Sequence, residues 1–303
     1  MDDRFLFSPL QKKQEEESGV NSSRSSYWKD AWKTLRSNRS AIIAFYTLIF
    51  LMLMALFGPM LSSYTYYETH LSLKNSPPST DFWFGTDTLG RDVFTRTWWG
   101  ARISLFIGIT ASLIDLCIGV IYGTVAGFFG RKTEELMMRI ADILYALPYI
   151  LLVILLMMVV GSGLFSIILA LAITGWIKMA RIVRSQILQL KAMDFVKAAY
   201  ALGASPMRIM LRHLIPNAIG PILVTLTFTI PTAIFTEAFL SFLGLGVQAP
   251  LASWGTMANE GLSALRYYPW QLFFPAGFIS LTMISFNLLG NGLNDALDPR
   301  LRR

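Results

Sequence analysis

The 303-residue chain carries 54% hydrophobic and only 15% charged residues, where a soluble domain has about a quarter charged. With a single cysteine, Cys117, and two distant histidines, His70 and His213, a disulfide framework and a Cys/His metal site are excluded. The net charge of +7 collects beside apolar blocks rather than along a polar domain, so it reads as a topology signal and not as a footprint for nucleic acid.

Residues 1–26 are polar and include Glu15, Glu16 and Glu17. They lack the apolar core and small-residue cleavage site of a signal peptide and are expected to be disordered. In residues 27–40, Trp28, Trp32 and Leu35 recur among Lys29, Lys33, Arg36 and Arg39. That spacing suits an amphipathic helix lying in the membrane interface, or a helical extension of the first span.

A span needs roughly 20 apolar residues to cross the hydrocarbon core. Six segments meet that test: 41–61, 103–129, 140–160, 164–180, 218–240 and 272–290. The fold class is therefore all-α, a polytopic membrane protein with six transmembrane helices. An even number of spans puts both termini on one side. If that side is cytoplasmic, only Lys74, Arg91, Arg96, Arg102 and Arg266 of the 26 Lys and Arg face outward, which is the positive-inside bias. The permease domain is assigned to 41–293, with 294–303 as a second cytoplasmic tail.

In the second span Gly119, Gly123 and Gly127 repeat every fourth residue. Such a flat face serves close helix packing or lines a pore. Asp115 lies near the middle of the same span, where an unpaired carboxylate is costly, so it should face the bundle or a wet cavity and could meet the positive end of a cargo. Glu237 is expected near the outer end of the fifth span, within reach of water. Pro221 and Pro231 should bend that span and free backbone groups, which makes it the first choice for lining a pathway. Outside, Asp87, Arg91 and Asp92 precede Trp98 and Trp99, an arrangement suited to capping and interfacial anchoring or to docking a partner.

The long segment between the fourth and fifth spans is basic and structured. Residues 182–202 read as helix, Gly203 as its left-handed terminator, and Ser205 as the cap of a short second helix with Pro206 at its first position. Met207, Met210, Leu211 and Leu214 are available for burial, Arg208 and Arg212 lie one turn apart, and Pro216 should end the helix. A helix this short needs a surface to pack on.

These residues resemble a known family. Lys197-Ala198-Ala199-Tyr200-Ala201-Leu202-Gly203, then after nine residues His213-Leu214-Ile215-Pro216, is similar to the EAA motif of ABC-importer permeases. Lys197 stands where the motif has an acid, and His213 and Ile215 stand for Ile and Leu. Phe84-Gly85-Thr86-Asp87-Thr88-Leu89-Gly90-Arg91-Asp92, Phe239 to Gly246 with Ser253-Trp254-Gly255, and Asn287 to Arg300 resemble the second permease subunit of dipeptide, oligopeptide and nickel importers.

The resemblance implies a type I ABC importer permease in a bacterial inner membrane, closest to oligopeptide permease C subunits. It implies that coupling loop 181–217, with Ala204 in its turn, docks on an ATPase. It further implies a homologous second permease subunit, two ATPase subunits that hold ATP and Mg2+, an extracytoplasmic peptide-binding protein and surrounding lipid. Nickel or glutathione import are the related alternatives. No Gly-x-x-x-x-Gly-Lys-Ser/Thr loop occurs in the chain, so no cofactor and no catalysis are assigned to it. From another class, an ion- or proton-coupled secondary transporter would use Asp115 and Glu237.

Overall fold

The computed structural model describes residues 24–297. The expectations for residues 1–23 and 298–303 lie outside them. Twelve α-helices follow in order: α1 (Arg24–Ser37), α2 (Arg39–Phe57), α3 (Val93–Phe129), α4 (Arg131–Ala146), α5 (Tyr149–Val160), α6 (Leu164–Thr174), α7 (Trp176–Lys191), α8 (Asp194–Ala201), α9 (Pro206–Ile209), α10 (Ile215–Phe242), α11 (Trp254–Ala264) and α12 (Trp270–Leu297). Among the described residues five helical stretches are long and apolar enough to cross a membrane, and six if the bent pair α4–α5 forms one span.

Each boundary has a local cause. The Asn38 side chain accepts from the Ala41 amide and caps α2, and Asp92 accepts from the Phe94 and Thr95 amides to cap α3. Both satisfy amide groups that the first turn leaves without partners. Along α2 the apolar side chains run all round; Ile43, Tyr46, Phe50, Leu53 and Leu56 are exposed while Ala44, Leu48 and Leu51 are buried. A soluble surface does not carry such a belt, and hydrocarbon is the solvent that suits it.

The third apolar segment, expected as one span over 140–160, is bent. It breaks between Ala146 and Tyr149, and its halves meet at 83°. Leu147 is extended, with φ −68° and ψ 133°, the conformation that a following proline imposes, and Pro148 has no N–H to carry the helix through. Hydropathy sums cannot register such a bend.

Three further boundaries move. The fourth span runs on past Gly175, where α6 gives way to α7, so 164–191 is one long stretch. The helix expected over 182–202 is interrupted at Ala192–Met193, between α7 and α8. Pro216 does not end a helix; it sits in the first turn of α10. A π-helical turn over Met210–Leu214 joins α9 to α10 and absorbs the missing proline donor by shifting the hydrogen-bond register. At the C-terminal end, α12 runs on through residues 294–297.

The helix pair at the centre is α3 with α7. A side chain on Gly119 would meet Met179 Cβ at 2.6 Å, one on Gly123 would meet Val183 Cβ at 2.9 Å, and one on Gly127 would meet the Arg184 carbonyl at 2.9 Å. The small residues therefore let the α7 backbone lie against α3. Phe128, Val183, Ile187, Val196, Ile209 and Leu214 fill one end of the bundle. Trp98, Trp254, Phe94 and Phe286 fill the other.

Candidate functional site

Four features stand out against this apolar body: an ion cluster at one end of α3, a buried carboxylate and a cavity along its length, and a helical corner at its other end. At the N-terminal end, the turn before α3 folds back on itself. Asp87 accepts from the Leu89 and Arg91 amides at 2.8 and 2.9 Å and from Arg91 Nε at 2.6 Å. It also accepts from Arg96. Glu260 on α11 completes the cluster, accepting from Arg91 at 2.9 Å and from Arg96 at 2.7 Å. Arg96 is 2% exposed, so its charge is compensated by two carboxylates rather than by water. Asp92 also accepts from Ser62 Oγ at 3.2 Å. Neither Arg96 nor Glu260 stood out in the sequence; the polar spacing of 87–96 hints at Arg96, whereas Glu260 is an isolated acid some 160 residues away that only the fold brings in.

Glu237 corrects its expectation. It is 0% exposed, not within reach of water. Ser104 donates to one carboxylate oxygen at 2.9 Å and Ser241 to the other at 2.7 Å. Ser104 Oγ in turn accepts from the Trp254 amide at 3.2 Å. The hydroxyls supply what burial removes and tie α3, α10 and α11 together. Pro231 is likewise buried within α10.

Along the middle of α3 lies a cavity of about 850 Å³ bounded by α3, α6, α7, α10 and the α4–α5 break. Asp115 enters it from α3, Tyr149 from the break, Lys178 from α7, and Thr229, Thr232 and Thr236 from α10. The threonines sit one turn apart, and each hydroxyl donates to the carbonyl four residues back, at 3.0, 2.8 and 2.8 Å. Their oxygen lone pairs are left to face the cavity. Sequence reasoning found Asp115 here but missed Tyr149, because nothing before the bend shows where Tyr149 points.

At the far end of α3, roughly 55 Å along a 37-residue helix from the ion cluster, α8 and α9 form a corner. Gly203 has φ +78°, and the Ala204 amide donates to the Ala199 carbonyl at 3.0 Å, a left-handed C-terminal closure that suits glycine. Ser205 Oγ accepts from the Arg208 amide and caps α9, with Pro206 in its first turn. Val196, Ala199, Ile209, Met210 and Leu214 are buried against Phe128 and α7. Leu202, Met207 and Leu211 face outward, as do Ala198, Arg208 and Arg212, and Leu202 is 88% exposed. Of the four apolar residues available for burial, Met210 and Leu214 pack inside and Met207 and Leu211 remain outside. Lys197 is exposed and pairs with Asp194 at 2.9 Å.

A bundle of apolar helices around a cavity that Asp115, Lys178 and three threonines enter has the make-up of a membrane transport component. The family described as "Binding-protein-dependent transport system inner membrane component" matches residues 119–303, and "N-terminal TM domain of oligopeptide transport permease C" matches residues 26–78. The chain belongs to the family of binding-protein-dependent transport permeases and is a multi-pass inner-membrane protein. It is 61% identical to the oligopeptide transport system permease protein OppC of Bacillus subtilis, over 92% of this chain and 91% of that protein. It is 56% identical to the dipeptide transport system permease protein DppC of the same organism, over 97% and 92%, and 40% identical to OppC of Escherichia coli, over 91% and 92%. Among solved structures it resembles the inward-facing MetNI methionine ABC transporter, with a TM-score of 0.55 and 19% identity over 66% of this chain and 94% of that chain, a likeness of fold.

Proposed function

We propose that this chain is one half of a peptide-import pathway and that the 194–214 corner seats an ATPase subunit. The corner carries the reading: outward-facing Leu202, Met207 and Leu211 stand on helices whose other faces are locked into the bundle. Such a corner presents an apolar surface on a support stiff enough to transmit force. The peptide class follows from the oligopeptide and dipeptide permeases that the chain resembles over more than nine-tenths of its length.

In this reading both termini and the corner are cytoplasmic, the arrangement that the distribution of Lys and Arg favours. A homologous permease supplies the other half of the path, two ATPase subunits hold ATP and Mg2+, and an extracytoplasmic binding protein delivers peptide. Rocking of the two halves opens the cavity alternately to either side. The test is Leu202→Asp combined with Met207→Asp, two exposed sites that leave the core intact. Pull-down of the ATPase subunits and ATP-driven peptide uptake in vesicles should both fall about tenfold, the loss of some 1.4 kcal/mol of docking energy. Retention of ATPase binding and uptake by a folded double variant refutes the docking role.

A further inference from the structure

Asp115 is 3% exposed, and its Oδ1 has no hydrogen-bond partner. Buried carboxylates in a bilayer interior are ordinarily paired or hydrogen-bonded, because the alternative costs several kcal/mol. Glu237, on the neighbouring helix α10, follows that rule with its serines; Asp115 does not. The Tyr149 hydroxyl, which lines the same cavity, is also buried without a partner.

Room for this carboxylate is built into the sequence. A Cβ on Gly175 would lie 2.6 Å from Asp115 Oδ1, so glycine at 175 is what lets the side chain lie against α7. One turn further along α7, Lys178 also lines the cavity, and no ion pair is formed by it among the described residues. The other cation at the wall, Arg181, is already committed to Asp142 at 2.7 Å and lies over the Tyr145 ring. The cavity therefore holds one uncommitted carboxylate, seated against Gly175, and one uncommitted ammonium, on Lys178 of α7, and no ion pair joins them.

We propose that Asp115, with the Tyr149 hydroxyl beside it, forms a subsite for the protonated amino terminus of a peptide in transit. This rests on the peptide-import reading above and specifies where in this subunit the cargo is held. Asp115 accepts charged hydrogen bonds from the α-ammonium, Tyr149 supplies a further acceptor, and the Thr229 and Thr232 oxygens extend the polar wall. Lys178 repels the ammonium and attracts carboxylate, so the amino end lies toward Asp115 and negative groups toward Lys178. The contact is a single charge pair, sufficient to orient a cargo and weak enough to release it.

The experiment uses the assembled permease–ATPase complex in lipid nanodiscs without the binding protein, in a Cys117→Ser background carrying Thr236→Cys. The rate of maleimide labelling at position 236 is measured with trialanine and with N-acetyl-trialanine as competitors. Trialanine should slow labelling about tenfold more effectively than the acetylated peptide, and Asp115→Asn should erase the difference. Equal protection by both peptides, protection by neither, or a preference that survives Asp115→Asn overturns the subsite. Thr174→Cys provides a second reporter on the same cavity if Thr236→Cys does not assemble. Uptake of radiolabelled trialanine by the wild-type complex with its binding protein is run in parallel. Absence of that uptake counts against peptide import itself, whereas uptake with no amino-end preference in the labelling counts against Asp115 alone.

Discussion

At Gly123 the α7 backbone comes so close that a methyl group collides with the Ala180 carbonyl and with Val183. At Gly277 on α12 nothing lies within 4 Å of the same added atom. The two helical glycines therefore make a matched pair. Gly277→Ala should be neutral or raise the thermal midpoint slightly, because alanine is the better helix former by about 1 kcal/mol. Gly123→Ala should lower it, since overpacking of a tight contact costs about 1–3 kcal/mol; differential scanning fluorimetry of the purified protein separates them. Glu237 allows a second comparison. Glu237→Gln keeps a group that can bond Ser104 and Ser241, whereas Glu237→Leu strands both hydroxyls in the interior. Each stranded group costs about 1–3 kcal/mol, so leucine should reduce the folded yield and glutamine should largely preserve it.

At the scale of elements, the bend between α4 and α5 decides which residues reach the cavity. Leu147 and Tyr149 flank Pro148, and both line the space beneath α10. Pro148→Ala restores the missing N–H and relaxes the constraint on Leu147, so α4 and α5 should approach a single straight span. A cysteine at position 149, readily labelled by a polar reagent in the parent, should then lose at least half of its labelling rate as it turns toward lipid. The apolar run 140–160 was legible as membrane-embedded because hydropathy is a sum, but its direction was not, because the proline acts through two dihedral angles. The corner shows the reverse. Gly203, Ser205 and Pro206 act within a few residues of themselves, and the turn they specify is the turn that forms. Pro216 misled because the π-helical turn ahead of it supplied a register that no rule of local propensity anticipates. Asp115 could be singled out by its cost in a bilayer, whereas Glu237, with the same cost, is satisfied by serines 133 and 4 residues away, pairings that only packing reveals.

At the scale of the whole molecule, the ion cluster at the head of α3 is the joint between the outer turn, the long central helix and α11. Its two arginines and two carboxylates are not equivalent. Arg96 is buried and touches both Asp87 and Glu260. The Glu260 side chain is 43% exposed, so water already solvates part of it. Removing Arg96 leaves Asp87 in a buried site with Arg91 as its remaining cation, whereas removing Glu260 leaves each arginine its bond to Asp87. Arg96→Met, which retains much of the side-chain volume, should therefore cost about 3–5 kcal/mol, the range for breaking a buried pair by deleting one partner. Glu260→Gln should cost about 1 kcal/mol or less, in keeping with a partly exposed pair. Combining Arg96→Met with Asp87→Leu removes the charge and its counter-charge together, and part of the loss should return. Thermal unfolding of the purified variants gives the three values. A double variant no more stable than Arg96→Met alone would mean that Asp87 serves the turn through its bonds to the Leu89 and Arg91 amides more than through its charge, and the joint would then be a matter of backbone geometry.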